Sequence, residues 1–435
     1  MKKMEGRAVL CLILAAALMI GLVVFIARLA VDGDQWASFY ANQHVYYEGK
    51  LAVGSVYDRN GTVLLENDGQ GPHYNSDSGI RRSTAHVVGD ENMNVATAVN
   101  YAFKSQIIGY NFITGTNGFL FGDNRKLDLT IDAEISKTAY NALNGRDGFV
   151  GVYNWRTGEI ICMVSNPGFD PANPPEASDA PSGTFVNKVI SGAATPGSTF
   201  KLVTTKAALE NIPDIENWSF TCTGTYVVDG EKVTCQRAHG NVNLDEALSD
   251  SCNCAFGELT LEIGADAMAK TVEELGLTSS YDINGIKTVP GSFTFDTYNI
   301  NLAWAGVGQF EDQLNPMSMM VYMGAIAGGG SAASPCLIMG TDSGNADLLE
   351  ASTARRLQEL MRNNVLTNYG DRNFPGLELH AKSGTAEGAK GERPDAWFCG
   401  YSGDYAFIVC VENGGYGSSV AGPIANTVLQ AIVAE

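Results

Sequence analysis

Three short runs of polar residues carry most of the chemistry that this sequence could perform. In the first, Thr195-Pro196-Gly197-Ser198-Thr199-Phe200-Lys201, a serine and a lysine stand three apart. Pro and Gly stop any earlier helix, and the residues after them, to about Glu210, contain neither, so Ser198 is predicted in the first turn of a helix. Residues three apart on a helix share a face, which brings the Lys201 amine within reach of the Ser198 hydroxyl. A lysine whose pKa is depressed by burial can take the serine proton near neutral pH. The helix N-terminus favours the negative charge that develops on an attacked carbonyl. Together these features describe acyl transfer through a serine ester, although the pair alone would equally suit a capped surface helix.

The second run is Ser251-Cys252-Asn253. On a tight turn, the Ser251 hydroxyl can pass a proton between Lys201 and a leaving amine, and the Asn253 amide can hold Lys201 or a peptide substrate. The third is Lys382-Ser383-Gly384-Thr385. Lys382 supplies a second cation that lowers the Lys201 pKa and attracts a carboxylate, while Gly384 lets a strand edge approach substrate closely. The Ser383 and Thr385 hydroxyls can hold a terminal carboxylate, and the amides of Ser198 and Thr385 would form the two halves of an oxyanion hole. Any one run could be an ordinary turn or strand edge; their occurrence together and in this order argues for a site.

These runs need elements to position them. Hairpins are predicted around Asn60-Gly61, around Trp155-Arg156-Thr157-Gly158 (strands 148–153 and 159–164) and around Asp229-Gly230. A further strand is expected over 125–132, and a helix over 133–143 closed by Asn144-Gly145. The apolar, Met-rich stretch 314–327 reads as a core helix. Strands return at 379–386, 396–401 and 404–412, followed by a helix over about 422–434. Strands at both ends of this region with helices between them predict an α+β domain built on one antiparallel sheet that joins N- and C-terminal segments.

The 435 residues carry 28 basic and 48 acidic side chains, a net charge of −20, which argues against nucleic acid as a partner. After Lys2, Lys3 and Arg7, no charged residue occurs from Ala8 to Ala27, and the run ends at Arg28. Such a stretch can span a bilayer, and the basic residues before it predict a cytoplasmic N-terminus with the rest outside. A cleaved signal peptide is the alternative, but no small-x-small cleavage site comes after it. The expected organisation is a tail over 1–7, a membrane anchor over 8–28, a pedestal over 29–145 and a catalytic domain over 146–435.

Five histidines (His44, His73, His86, His239, His380) lie far apart and no Cys-x-x-Cys occurs, so neither a metal site nor a cofactor is expected. Among nine cysteines, Cys11 falls in the apolar span, and Cys162, Cys399 and Cys410 lie in strand-like core segments. Cys222 and Cys235 bracket the Asp-Gly hairpin, whose close ends make a disulfide feasible in an oxidising compartment; two free thiols are the alternative.

With all three motifs in order, the chain resembles the class B penicillin-binding proteins, the monofunctional peptidoglycan transpeptidases. Asp58-Arg59-Asn60-Gly61, Ala85-His86-Val87-Val88-Gly89, Leu129-Thr130-Ile131-Asp132, Asn166-Pro167-Gly168-Phe169-Asp170-Pro171, Gly306-Val307-Gly308-Gln309 and Ala396-Trp397-Phe398-Cys399-Gly400 are similar to signatures of that family. The resemblance implies a penicillin-binding, serine β-lactamase-like fold in which Ser198 is the nucleophile, Lys201, Ser251, Asn253 and Lys382 complete the catalytic set, and Ser383, Gly384 and Thr385 bind substrate. It implies peptidoglycan stem peptides as substrates, β-lactams as covalent inhibitors, and a separate membrane glycosyltransferase of the shape, elongation, division and sporulation family as partner. A built-in glycosyltransferase is not expected, because the stretch between span and catalytic motifs is no longer than one ordinary domain. The rivals are a D,D-carboxypeptidase or membrane-bound β-lactamase on the same fold, and a non-catalytic β-lactam-binding scaffold. Where class A β-lactamases carry a water-activating Glu, this sequence reads Asn284-Gly285-Ile286-Lys287-Thr288.

Overall fold

The structure, a computed structural model, describes residues 2–434 except 40, 44, 49, 68–70, 114, 117–124, 343 and 389–390; His44 therefore lies outside the described residues. The chain starts with helix α1 (Lys2–Ala37), whose apolar stretch is exposed along its length and is long and apolar enough to cross a membrane.

Next comes a small pedestal sheet, made of β1 (Ser55–Tyr57), β2 (Val63–Asn67), β3 (Pro72–Tyr74) and, after helix α2 (Ser78–Val88), β4 (Lys126–Asp128). Its strand order is β3-β2-β1-β4, with β4 parallel to β1. The Asp58-Arg59-Asn60-Gly61 run is the β1–β2 turn and also the joint to the rest of the molecule. Buried Asp58 accepts from the amides of Asn60, Thr62 and Ala133, while the Asn60 side chain donates to Asp132 at 2.7 Å. A second joint is the two-pronged pair between Arg81 on α2 and Asp170, at 2.9 and 2.7 Å.

Helix α3 (Ala133–Leu143) has the expected limits for the expected reasons. Asp132 caps its first amides, and Asn144 ends it in the left-handed region with φ 51°. Its apolar face, Ile135, Ala139 and Leu143, shares a core with the catalytic sheet. Helix α3 thus bridges the two parts, since it also packs on α2 of the pedestal, where Lys137 pairs with Asp77 at 2.7 Å; the boundary expected at 145/146 falls just after this shared helix.

The sheet consists of β5 (Gly148–Asn154), β6 (Ile160–Asn166) and three strands from the far end of the chain. Between the two groups lie α4 (Lys201–Asn211), β7 (Ser219–Cys222), β8 (Thr225–Val228), β9 (Glu231–Thr234), β10 (Gly240–Asn243), α5 (Asn253–Ile263), α6 (Pro316–Ala327) and α7 (Ala351–Asn364). The chain then returns as β11 (His380–Ala386), β12 (Asp395–Ser402), β13 (Tyr405–Val411) and α8 (Gly417–Ala434). The order is β11-β12-β13-β5-β6, antiparallel throughout. Alternation along the strands sorts the two faces: Val150, Val152, Phe407 and Val409 meet α3 and α8, whereas Phe149, Tyr153, Ile408 and Trp397 meet the Met-rich α6. The expected sheet is thus the observed one.

Candidate active site

Ser198 sits in a single 3₁₀ turn (Gly197–Thr199) that leads directly into α4, whose first residue is Lys201. This turn lies against β11 because Gly197 takes φ +54°, and a Cβ there would stand 2.8 Å from the Thr385 carbonyl oxygen. Gly308 matches it from the other side: its carbonyl accepts from the Gly197 amide at 2.8 Å, and its own Cβ would collide with the Gly197 carbonyl at 2.1 Å. Two glycines thus let the serine turn wedge between β11 and the Gly306-Val307-Gly308-Gln309 segment.

Lys201 is fully buried, and its amine makes three hydrogen bonds: to the Ser251 carbonyl at 2.6 Å, the Asn253 side-chain oxygen at 2.7 Å and the Ser251 hydroxyl at 3.1 Å. Lys382, equally buried, donates to the same hydroxyl at 3.1 Å and to the Ser383 carbonyl at 2.8 Å. Among the described residues no carboxylate pairs with either amine. Burial pushes the Lys201 pKa down to about 8, against a partial opposing pull from the nearby thiols of Cys235, Cys252 and Cys254. Burial and then the Lys201 charge push Lys382 well below its usual value. Of the three Lys201 partners only the Ser251 hydroxyl can also donate, so a neutral Lys201 can accept a proton only from that hydroxyl or from an incoming group such as that of Ser198.

Ser251 itself occupies the left-handed region, φ +54°, in the turn that precedes α5, a conformation that costs a non-glycine residue on the order of 1 kcal/mol. The Lys201 bond to its carbonyl holds it there. Asn253 reaches across to the carbonyl of Thr234 at the end of β9, 2.9 Å away. On β11, Ser383 is positioned by Tyr369, whose hydroxyl accepts from the Ser383 amide at 2.8 Å and donates to its side chain at 3.0 Å. Ser198, Ser251, Asn253, Ser383 and Thr385 all face one cleft of about 780 Å³. The fold therefore brings together every residue that the three motifs nominate, with Lys201 and Lys382 beneath the cleft floor. In the resting arrangement the hydrogen bonds of Lys201 go to Ser251 and Asn253, not to Ser198.

Two features are not read from the sequence. Tyr369 comes from a π-helical turn directly after α7, and nothing in its local sequence marks it. The cysteines are the other. The Asp-Gly hairpin forms as expected from β8 and β9, but the Cys222 and Cys235 sulfurs lie 3.8 Å apart, far beyond the ~2.05 Å of a disulfide. Both are free thiols in the structure, and Cys222, at the end of β7, shares its surroundings with His239 and Cys252. Side chains from four separate segments meet there, a grouping that the sequence spacing of the histidines and cysteines does not announce.

A family model for the penicillin-binding protein transpeptidase domain matches residues 148–430. The chain belongs to this family. Among relatives of penicillin-binding transpeptidases, it is 28% identical over 353 residues to the peptidoglycan D,D-transpeptidase PbpA of Mycobacterium tuberculosis, covering 70% of this chain and 72% of that protein. It is 32% identical over 164 residues to stage V sporulation protein D of Bacillus subtilis, covering 35% of this chain and 25% of that one. The penicillin G acyl-enzyme complex of M. tuberculosis penicillin-binding protein A superposes with a TM-score of 0.75 at 25% identity, over 88% of this chain and 99% of the other. The D,D-transpeptidase domain from Eggerthella lenta shares the fold, with a TM-score of 0.72 at 24% identity over 88% and 98% of the two chains.

Proposed function

We propose that this protein is a peptidoglycan D,D-transpeptidase that cross-links stem peptides through an ester on Ser198. The observation that carries the reading is the shared Ser251 hydroxyl, held between two buried, carboxylate-free amines beside the serine turn. Ser198 Oγ attacks the carbonyl of the penultimate D-alanine, and its proton passes to neutral Lys201. The amides of Ser198 and Thr385 hold the oxyanion. As the C–N bond breaks, Ser251 relays a proton from Lys201 to the leaving D-alanine amine. An amine from a neighbouring stem then attacks the ester and gives up its proton along the same path, which returns Ser198 to its hydroxyl form. Lys382, Ser383 and Thr385 hold the donor carboxylate; Gly384, expected to face the substrate, instead lets β11 close on the serine turn, where a Cβ would stand 2.9 Å from Thr199 and 3.0 Å from the Pro196 carbonyl.

The same geometry suits a β-lactam, whose ring carbonyl takes the place of the peptide. In the sequence stretch where class A β-lactamases carry a water-activating Glu, this chain has Asn284, which does not line the cleft and accepts from the amides of Leu337 and Ile338. The ester is expected to persist. We further propose a single-pass anchor with the N-terminus in the cytoplasm, and a membrane glycosyltransferase of the shape, elongation, division and sporulation family as the source of glycan strands.

Intact-protein mass spectrometry after incubation with penicillin G tests the central reading. A stable one-to-one adduct, absent in Ser198→Ala and formed at least about a hundredfold more slowly in Lys201→Ala, is expected. Rapid turnover without an adduct would make the protein a β-lactamase, and a folded protein that neither binds nor turns over the drug would be a scaffold.

A further inference from the structure

Beside the cleft, one sulfur or nitrogen from each of Cys222, Cys235, His239 and Cys252 lies within 4.8 Å of all the others. Cys222 ends β7, Cys235 comes just after β9, His239 precedes β10 and Cys252 caps α5, so the group ties two hairpins to the turn that carries Ser251. Three of the six spacings match the edges of a coordination tetrahedron, and the other three lie within 4.8 Å. With Zn–S about 2.3 Å and Zn–N about 2.0–2.1 Å, tetrahedral edges are about 3.8 Å between sulfurs and about 3.5 Å from sulfur to nitrogen. The observed distances are 3.8 Å for Cys222–Cys235, 3.7 Å for Cys235–Cys252 and 3.5 Å from Cys222 Sγ to His239 Nδ1.

A second, independent observation concerns charge. Each of the three sulfurs accepts a backbone amide: Cys222 from Gly224 at 3.4 Å, Cys235 from Cys254 at 3.3 Å and Cys252 from Ala255 at 3.4 Å. Amides aimed at sulfur stabilise thiolates, and such outer hydrogen bonds are what metal-bound thiolates use. Cys254 Sγ touches Cys235 Sγ at 3.4 Å but is not within reach of all the others, and it donates to the Val233 carbonyl at 3.5 Å.

We propose that Cys222, Cys235, Cys252 and His239 bind one zinc ion, which fixes the Ser251-Cys252-Asn253 turn against the hairpins. Three thiols lose their protons to solvent and neutral His239 supplies Nδ1, so a zinc dication becomes a four-coordinate centre with net charge −1. Cys222 and Cys252 are buried, whereas Cys235 and His239 face the cleft, which gives the ion a route in. The four ligands leave no open position, so the metal is structural and the ligands are positioning residues. Through Cys252 the ion holds the backbone on both sides of the left-handed Ser251, and through Cys235 it holds the strand end whose Thr234 carbonyl anchors Asn253.

The test uses the full chain purified in detergent under reducing conditions. Elemental analysis should find one zinc per chain, and replacement by cobalt(II) should give the intense visible bands of a tetrahedral thiolate site. Cys222→Ser and His239→Ala should lower zinc content and shift or abolish those bands, whereas Cys254→Ser should keep both. Chelation should slow penicillin acylation about tenfold or more, the scale on which loss of a positioning partner is felt, and zinc should restore it. This kinetic arm rests on the transpeptidase reading, but metal content and the cobalt spectrum do not, so failure of one is distinguishable from failure of the other. A fully reduced, folded protein that takes up no zinc from excess zinc chloride overturns the proposal. So does zinc loss in Cys254→Ser with retention in Cys222→Ser.

Discussion

Because two amines without a carboxylate partner donate to one hydroxyl, the protonation of this centre belongs to the pair rather than to either lysine. The base form of Lys201 is the neutral amine, whose share grows as pH rises through about 8. Acylation of Ser198 by a β-lactam should therefore speed up with pH and level off above that point; a rate constant that is flat or falling from about pH 6.5 to 9 would remove Lys201 from the role of base. Tyr369 offers a different test. Replacing it by Phe leaves the Ser383 amide without its acceptor, a loss of about 1–3 kcal/mol for a buried group. Acylation should fall on the order of tenfold while the pH midpoint stays in place, and a shifted midpoint would tie Tyr369 to proton transfer instead of substrate positioning. The motif residues were legible because their chemistry demands fixed types at short spacing. Tyr369 and the cysteine–histidine group were not, because each is assembled from segments that meet only in three dimensions and obeys no local period.

At the scale of elements, the sequence was most informative where turn chemistry is local. Asp229 and Gly230 take φ values of 52° and 88°, as a tight hairpin requires, and Asn144 ends α3 where its left-handed backbone allows. Packing partners could not be read in the same way, which is why α3 falls in the expected pedestal although its apolar face covers the catalytic sheet. The serine turn depends on one such partner. Gly197→Ala combines an unfavourable φ with a Cβ against the Thr385 carbonyl, so the turn must back away from β11. A fall in stability of about 1–3 kcal/mol and a loss of acylation larger than the change in folded fraction are expected, read from thermal melts and adduct formation on the same sample. Unchanged labelling would show that Ser198 does not need its contact with β11.

For the whole molecule, the apolar α1, the pedestal and the catalytic region form a line along the chain, joined by Asp58 and by the Arg81–Asp170 pair. The basic residues before the apolar stretch argue that everything beyond Arg28 lies outside the cytoplasm. Protease added to intact spheroplasts should then remove the catalytic domain; its survival while a known external domain is digested would reverse the orientation. The sheet order has a bearing on how the protein comes into being. Strand β5 pairs with β6 on one side and with β13 on the other, so residues 148–154 find their second neighbour only in residues 405–411. While the polypeptide is still being made, β5 and β6 form a hairpin of buried-type residues whose β5 edge is open, and more than half of the chain must emerge before β13 covers that edge. Each nascent molecule thus passes through an interval in which its exposed strand edge is most vulnerable to pairing with its neighbours.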